Sequence, residues 1–171
     1  MRNDLKEKRN TLVKEQEEKN SDNFVRRKLI FWLLAGMVVT RLIYVVLNTA
    51  YCLIYEISIP SFDFFISFFM VVAAFGFSFL IYSAGIRPVA YIALLGGLVS
   101  LFSAYNSGIL SMLNTEDIFF NAVNIMFVVT LSIQIFVMLF IGFDKKCRLY
   151  LNVMAEIQKE LRLWINNKQN K

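Results

Sequence analysis

Four long runs of apolar residues alternate with short polar breaks along this chain, and a charged segment stands at each end. The runs cover residues 29–55, 62–84, 88–110 and 118–143. Each run is long enough to cross a bilayer, because a transmembrane helix needs about 20 apolar residues at about 1.5 Å per residue. The pattern predicts an all-α integral membrane protein with a four-transmembrane-helix bundle at residues 29–143. Thr115, followed by two acids, is a candidate N-cap for the fourth helix.

The two segments that flank the bundle are hydrophilic in different ways. Residues 1–28 mix nine Lys or Arg with six Asp or Glu, which predicts a charged cytosolic tail. Residues 144–171 carry an amphipathic stripe whose members are four and three residues apart. The stripe consists of Tyr150, Met154, Ile157, Leu161 and Trp164. We interpret it as the candidate partner or interface face of a cytosolic helix. The alternatives are a helix lying flat on the headgroups and a solvated continuation of the fourth span.

The distribution of basic residues predicts the orientation. Of the 18 Lys and Arg, only Arg41 lies inside an apolar run, and 16 lie in the two terminal segments. The remaining one, Arg87, stands in the break between the second and third runs. The other two breaks carry acids and no base, so the positive-inside rule predicts that both termini are cytosolic. Because no signal-like run opens the chain and the breaks are short, we expect a multi-pass protein of a bacterial plasma membrane.

Arg41 needs an explanation, since an arginine at this depth costs roughly 3 kcal/mol on insertion. Counting inward along each run places further polar side chains at its depth or about two turns further out. These are Asn48, Ser100, Ser103, Asn106, Asn124, Thr130 and Gln134. We predict that they form an intramembrane polar cluster with Arg41. The cluster either holds the helices together by hydrogen bonds or lines a water-filled ion pathway. Arg41 could also snorkel outward or face an oligomer interface.

The third run carries small residues at three- and four-residue spacing. They are Ala93, Gly96, Gly97, Ser100, Ser103, Ala104, Ser107, Gly108 and Ser111. Small side chains let a second helix approach closely within a membrane. The spacing therefore predicts a packing seam along the third helix.

Residues typical of catalysis or metal binding are scarce. The chain has no histidine, and its two cysteines, Cys52 and Cys147, belong to no CxxC pair. Because it also lacks a nucleophile elbow, a P-loop and an HExxH motif, we predict no catalytic residue, no cofactor and no metal site. Cys147 stands between Lys146 and Arg148, which suggests a lipidated or inert thiol rather than a nucleophile.

These observations predict a non-catalytic membrane anchor, sensor or regulatory subunit that presents its cytosolic tails to a partner. The expected partners are the lipid bilayer and either further copies of the chain or another cytosolic or membrane protein. Nucleic acid is not expected, because topology accounts for the net charge of +5. The alternative is a small oligomeric channel or transporter with Arg41 in the pathway. Such a pathway would favour anions, since no Asp or Glu lies in the interior of an apolar run.

Overall fold

The computed structural model describes residues 2–56, 61–108 and 117–169, and the regular structure in these ranges is entirely helical. The six α-helices of the described residues are α1 (Arg2–Lys19), α2 (Arg27–Ile54), α3 (Ser61–Ala84), α4 (Arg87–Asn106), α5 (Ile118–Phe143) and α6 (Lys145–Gln169). A 3₁₀ helix, Ser21–Phe24, joins α1 to α2.

Three helical stretches of the described residues are long and apolar enough to cross a membrane. They are Ser21–Ile54, Arg87–Asn106 and Ile118–Phe143. The side chains of α3 are described from residue 68 onward. This part of α3, Phe68–Ala84, is a shorter apolar helix. The prediction of a helical fold with helices long and apolar enough to span a membrane is therefore confirmed for the described residues.

The helix bounds follow the apolar runs closely, with one clear difference. The third run continues apolar to residue 110, yet α4 ends at Asn106 with Ser107 as its C-cap. Gly108 then adopts a φ of +73°, the left-handed conformation that commonly terminates helices. Residues 109–116 lie outside the described part of the chain.

Within the bundle, α4 packs mainly against α5, and α2 packs between α5 and α3. Only part of the small-residue face forms the seam. Ala93, Gly97 and Ala104 are buried, and a Cβ on Gly97 would lie 3.1 Å from the Ile135 side chain. Gly96 is exposed. Within α4 the small residues lie in one arc of about 120° around the helix axis, at 100° per residue. Ala93, Gly97 and Ala104 occupy the buried side of this arc, and Gly96 and Ser103 occupy its exposed side. Ser111 lies outside the described residues.

The two terminal segments form a layer across one end of the bundle. This terminal layer consists of residues 2–24 and 145–169. α6 packs against the ends of α3 and α5, and α1 and the 3₁₀ helix pack against α6. The layer shares one apolar core with α2, α3, α4 and α5. Its fully or nearly fully buried members include Leu12, Phe24, Ile30, Ile81, Ile141, Leu151 and Ile157.

Candidate functional site

The amphipathic stripe of α6 is buried inside the chain itself. Tyr150, Met154, Ile157 and Leu161 are each at most 4% exposed, and Trp164 is half-buried. Leu12, Phe24 and Ile81 belong to the same core as this stripe. The face that the sequence assigned to a partner is therefore occupied by the chain's own N-terminal segment and span ends. The sequence-based interpretation is corrected here, because residues 2–24 fold onto α6 instead of remaining a separate tail.

Polar side chains of the terminal layer cap the end of α3. The Tyr150 hydroxyl donates to the carbonyl oxygen of Tyr82 at 3.2 Å. The carbonyl oxygen of Ser83 accepts from Gln158 Nε2 at 3.1 Å and from Arg9 Nη2 at 3.2 Å. The last carbonyls of a helix have no partner within the helix. Side chains from α1 and α6 supply these partners, so α3 and the terminal layer are joined by hydrogen bonds as well as by apolar contacts.

The turn between α3 and α4 lies directly against α6. Gly85 has a φ of +64°, and a Cβ at this position would overlap the carbonyl oxygen of Leu151. Arg87 Nη2 donates to the carbonyl oxygen of Arg148 at 3.0 Å and to the Asn152 side chain. Glycine is needed here both for the left-handed backbone and for the close approach of two backbones.

Ion pairs add further links between the two ends of the chain. Lys168 Nζ lies 2.6 Å from Asp4 Oδ2 and thereby joins α6 to α1. Glu17 pairs with Arg27 at the start of α2, at 3.4 Å. Both pairs are about half exposed, and such pairs contribute at most about 1 kcal/mol each. The two ion pairs therefore help to position α1 against α2 and α6 but add little to the stability of the fold.

Cys147 is a buried structural residue of the terminal layer. Its side chain is 0% exposed, and burial is the main reason that the pKa of its thiol rises to about 12. Asp144 caps α6 by accepting from the Cys147 backbone N–H at 2.8 Å, which lowers the pKa of the Asp144 carboxyl. A thiol that is buried and protonated at neutral pH is neither a nucleophile nor accessible for lipidation. Of the two alternatives that the sequence left open, burial therefore favours an inert thiol over a lipidated one.

Deeper in the bundle, Arg41 is 5% exposed and connects three helices. Its Nη2 donates to Gln134 Oε1 at 2.6 Å, and Gln134 Nε2 donates to the carbonyl oxygen of Ala93 at 2.8 Å. Next to this chain of bonds, the Thr130 hydroxyl donates to the carbonyl oxygen of Thr40 at 3.3 Å. These bonds link α2, α4 and α5. The ion pairs among the described residues lie in or beside the terminal layer. The side chain that accepts the hydrogen bond from Arg41 is the neutral amide of Gln134.

A cavity of about 40 Å³ adjoins the Arg41 guanidinium. Gln134 and Phe77 also line it. A water needs roughly 10–15 Å³ of such volume, so the cavity has room for about two or three waters. Hydration of this size can reduce the cost of a buried charge, but the volume is small for a pathway.

The remaining predicted members of the polar cluster lie apart from Arg41. Ser103 and Asn106 are exposed on the outside of α4. Asn48 and Ser100 are half-buried, and the Asn124 amide nitrogen is buried without a hydrogen-bond partner in the described structure. Counting along a helix gives depth but leaves rotation undetermined, and rotation turns Ser103 and Asn106 to the outside. Asn48 lies on the same face of α2 as Arg41 but two turns further along, so depth separates these two. Of the predicted cluster, the structure brings together Arg41, Thr130 and Gln134.

At the opposite end of the bundle, Asp117 is a polar junction that the sequence analysis did not single out. Its Oδ1 accepts from the backbone N–H groups of Phe119 and Phe120 at 2.9 and 3.0 Å, which caps α5. The hydroxyls of Tyr51 and Tyr55 donate to the same carboxylate at 3.5 and 3.3 Å. An acid directly before an apolar run was the available signal. The cap expected from the sequence, Thr115, lies outside the described residues.

Among the residues that the structure describes, no group of three or more His, Cys, Asp or Glu side chains could hold a metal ion. Comparison with known protein families, with curated proteins and with solved structures finds no match. The terminal layer and the contacts of Arg41 are the two features of the molecule that bear on its function.

Proposed function

We propose that the chain crosses a plasma membrane four times, with α2, α3, α4 and α5 as the spans and the terminal layer in the cytosol. The apolar helix α3 comprises 24 residues, enough for a span. Arg9 and Arg87 contact partners at the same end of the bundle as α6. This clustering of basic residues supports the positive-inside orientation.

Cysteine labelling tests this topology in a variant whose two native cysteines are replaced by alanine. Glu56→Cys and Asn166→Cys place exposed thiols at opposite ends of the molecule. An impermeant maleimide applied to intact cells should label the first position and not the second. Labelling at Asn166→Cys would contradict the proposed orientation.

We further propose that the protein is non-catalytic and acts as a membrane anchor, sensor or regulatory subunit, with the terminal layer as the surface that meets its partner. One observation carries this proposal. Both terminal segments fold into one layer that caps α3 and contacts the turn before α4. Because this layer and the spans share a core, a force on the layer is transmitted to the spans and the reverse.

The chemistry of the outer face of α6 indicates what kind of contact the partner makes. Glu156, Lys159, Glu160 and Arg162 are all exposed there. Charges of both signs on one face favour binding through charged and polar contacts, which set specificity and association rate more than affinity. The proposal therefore specifies a polar, salt-sensitive interface rather than a hydrophobic one.

Site-specific photo-crosslinking in cells tests this role. A photoreactive residue at Arg162 lies on the proposed surface, and the same residue at Phe136, which is 63% exposed on a span, provides the control. We expect one defined protein adduct from position 162, lost when Lys159 and Arg162 are both changed to Glu with the crosslinker moved to Glu156. Adducts only from position 136, or from neither position, would contradict the terminal layer as the partner surface.

The contacts of Arg41 favour a second candidate function, an anion channel or transporter. A guanidinium that is held by a neutral amide beside a small cavity retains its positive charge for an anion. Anion flux in vesicles that contain only the purified protein tests this candidate. Wild-type protein without flux for any tested anion would exclude it.

A further inference from the structure

An apolar groove of about 380 Å³ runs between α2 and α3 next to the terminal layer. Its walls are Phe31, Leu34 and Val38 from α2, and Phe75 and Phe79 from α3. Phe31 and Phe75 are 47% and 64% exposed within the chain. The groove lies within the membrane-spanning part of these helices, so an apolar occupant is required wherever protein does not fill it.

Ser78 is the polar exception in this groove. It is 9% exposed, and its hydroxyl has no hydrogen-bond partner in the described structure. A serine within a helix often bonds to the carbonyl four residues earlier, whereas this hydroxyl does not. A buried donor without an acceptor costs about 1–3 kcal/mol. The groove thus presents one unsatisfied donor among hydrocarbon walls.

A second cavity, of about 440 Å³, adjoins the first toward the terminal layer. The two share Phe31 and Tyr82 as lining residues. Arg27, Lys28 and Trp32 line the second cavity but not the first. They belong to the first turns of α2, where no acidic residue and no capping side chain offsets the positive end of the helix. Glu17 also lines this cavity and pairs with Arg27, which leaves Lys28 as the exposed cation.

We propose that this continuous site binds one anionic phospholipid of the cytosolic leaflet, with its phosphate at Lys28 and Arg27 and one acyl chain between α2 and α3. The charge of the wider cavity, +2 from Arg27 and Lys28 against −1 from Glu17, complements an anionic headgroup. Ser78 lies four residues, about 6 Å along the helix axis, deeper than Tyr82. An ester carbonyl of the lipid supplies an acceptor for its hydroxyl at that depth.

This inference rests on the proposed topology but goes beyond the proposed role of the terminal layer. A bound lipid would seal the α2–α3 groove whether or not the terminal layer meets a protein partner. The site is also distinct from general lipid contact, because it pairs a cationic mouth with an apolar groove that contains an unsatisfied donor.

Trp32, at the mouth and 69% exposed, provides a direct reporter. In a Trp164→Phe background it is the sole tryptophan, since the chain has two. The protein is reconstituted in vesicles of one anionic and one zwitterionic phospholipid, phosphatidylglycerol and phosphatidylcholine. In one set the anionic lipid carries brominated chains, and in the other the zwitterionic lipid does. Bromine quenches tryptophan at contact, so the ratio of the two quenching levels gives the local enrichment of the anionic lipid.

We expect enrichment of about fivefold or more over the bulk composition, because each basic residue at the surface favours anionic lipid by roughly this factor. Lys28→Gln should lower it about fivefold, and Ala35→Leu, which narrows the groove, should lower it without changing charge. Lys146→Gln removes the same charge from an exposed position outside both cavities and should leave the enrichment unchanged. Equal quenching by both lipids, or equal loss in Lys146→Gln, would overturn the proposal. Enrichment that is insensitive to Ala35→Leu would also overturn it.

Discussion

At the end of the molecule that carries the terminal layer, Ile30, Ile81 and Ile141 are 0% exposed. Toward the other end of the same bundle, Ile54 is 65% exposed and Ile118 is 84% exposed. The helices at both ends are similarly apolar, so composition does not explain this difference. The end that carries the terminal layer, called the inner end below, is packed because α1, the 3₁₀ helix and α6 cover it. The outer half has no such cover among the described residues.

This difference indicates how the chain divides its tasks. Stability should reside in the inner end, where the spans and the terminal layer share one core. The outer half, whose apolar side chains face outward, must be matched by lipid or by another chain. Substitutions at the two ends should therefore have very different effects.

A large loss of stability is expected from Gly85→Ala. The new Cβ would overlap the Leu151 carbonyl, and the left-handed backbone adds strain of roughly 1–3 kcal/mol. We expect the unfolding free energy in detergent to fall by at least about 2 kcal/mol, with α6 released. Gly96→Ala is the matched control, because nothing lies within 4 Å of its Cβ. It should leave the stability unchanged or raise it slightly. Similar losses of unfolding free energy in Gly85→Ala and Gly96→Ala would contradict a difference in stability between the inner end and the rest of the bundle.

Leu161→Glu should separate the terminal layer from an otherwise inserted bundle. Leu161 is 4% exposed, and loss of a buried leucine costs about 2–5 kcal/mol before the charge is counted. Limited proteolysis should cleave α1 and α6 rapidly in this variant while the spans stay protected. Leu163→Glu, at a position 55% exposed, should behave like wild type. If α1 remained protected from proteolysis in Leu161→Glu, the result would contradict a core shared by the terminal layer and the spans.

Arg41→Gln should change stability by only about 1 kcal/mol in either direction. It removes a hydrogen bond to Gln134 but also a buried charge, and these terms nearly cancel. Arg41→Lys retains the charge without the planar fork. Thermal unfolding and anion flux are measured on all three proteins. If flux falls in Arg41→Gln and returns in Arg41→Lys, the channel candidate gains support. Loss of several kcal/mol in Arg41→Gln would instead make Arg41 central to folding.

Asp117 and Asp144 allow a comparison of N-caps at the two ends. Replacement of either cap by alanine should cost about 1 kcal/mol. Asp144→Ala should also loosen the terminal layer and raise hydrogen exchange along α6, whereas Asp117→Ala should affect only the first turn of α5. Hydrogen exchange in lipid nanodiscs measures both. Spread of the Asp117→Ala effect to α6 would mean that the two ends are coupled.

The smallest expected effect is a dependence on acid pH through Asp144. Its folded-state pKa is lowered, mainly by the Cys147 backbone N–H. A lowered pKa adds stability that is present above the unfolded value, about pH 4, and is lost as the pH falls through the folded value. The α6 stability of wild type should therefore decline below about pH 4, while that of Asp144→Asn should decline less. Far-UV circular dichroism measures this decline. If wild type and Asp144→Asn lost helicity in parallel as the pH fell, the acid dependence would belong to titratable groups other than Asp144.

Sequence patterns predicted the helices well because burial in lipid demands continuous apolar runs, and their bounds lie within a few residues of α2, α3 and α5. The amphipathic stripe of α6 was also recognised, but its partner was not. The N-terminal segment offers only a thin apolar stripe that includes Leu5, Leu12 and Val13. Such a stripe does not indicate which surface it will cover, and only tertiary packing decides this.

The intramembrane site was predicted in part for a related reason. Depth along a helix follows from residue number, so Arg41, Thr130 and Gln134 were placed at one level and do meet there. Rotation about the helix axis depends on neighbouring helices, and it turns Ser103 and Asn106 to the outside. Four-span topology, the orientation and the function remain predictions.

A zero-length crosslink between α1 and α6 tests the central claim, that the two terminal segments form one layer within a single chain. Lys168 Nζ and Asp4 Oδ2 are 2.6 Å apart, so a carbodiimide should join them by an amide bond in the membrane. Mass spectrometry of mixed isotope-labelled and unlabelled protein distinguishes links within one chain from links between copies. The account predicts a Lys168–Asp4 link within one chain that is absent in Asp4→Asn and lost in Leu161→Glu. A link found only between copies, or no link in wild type, would contradict it.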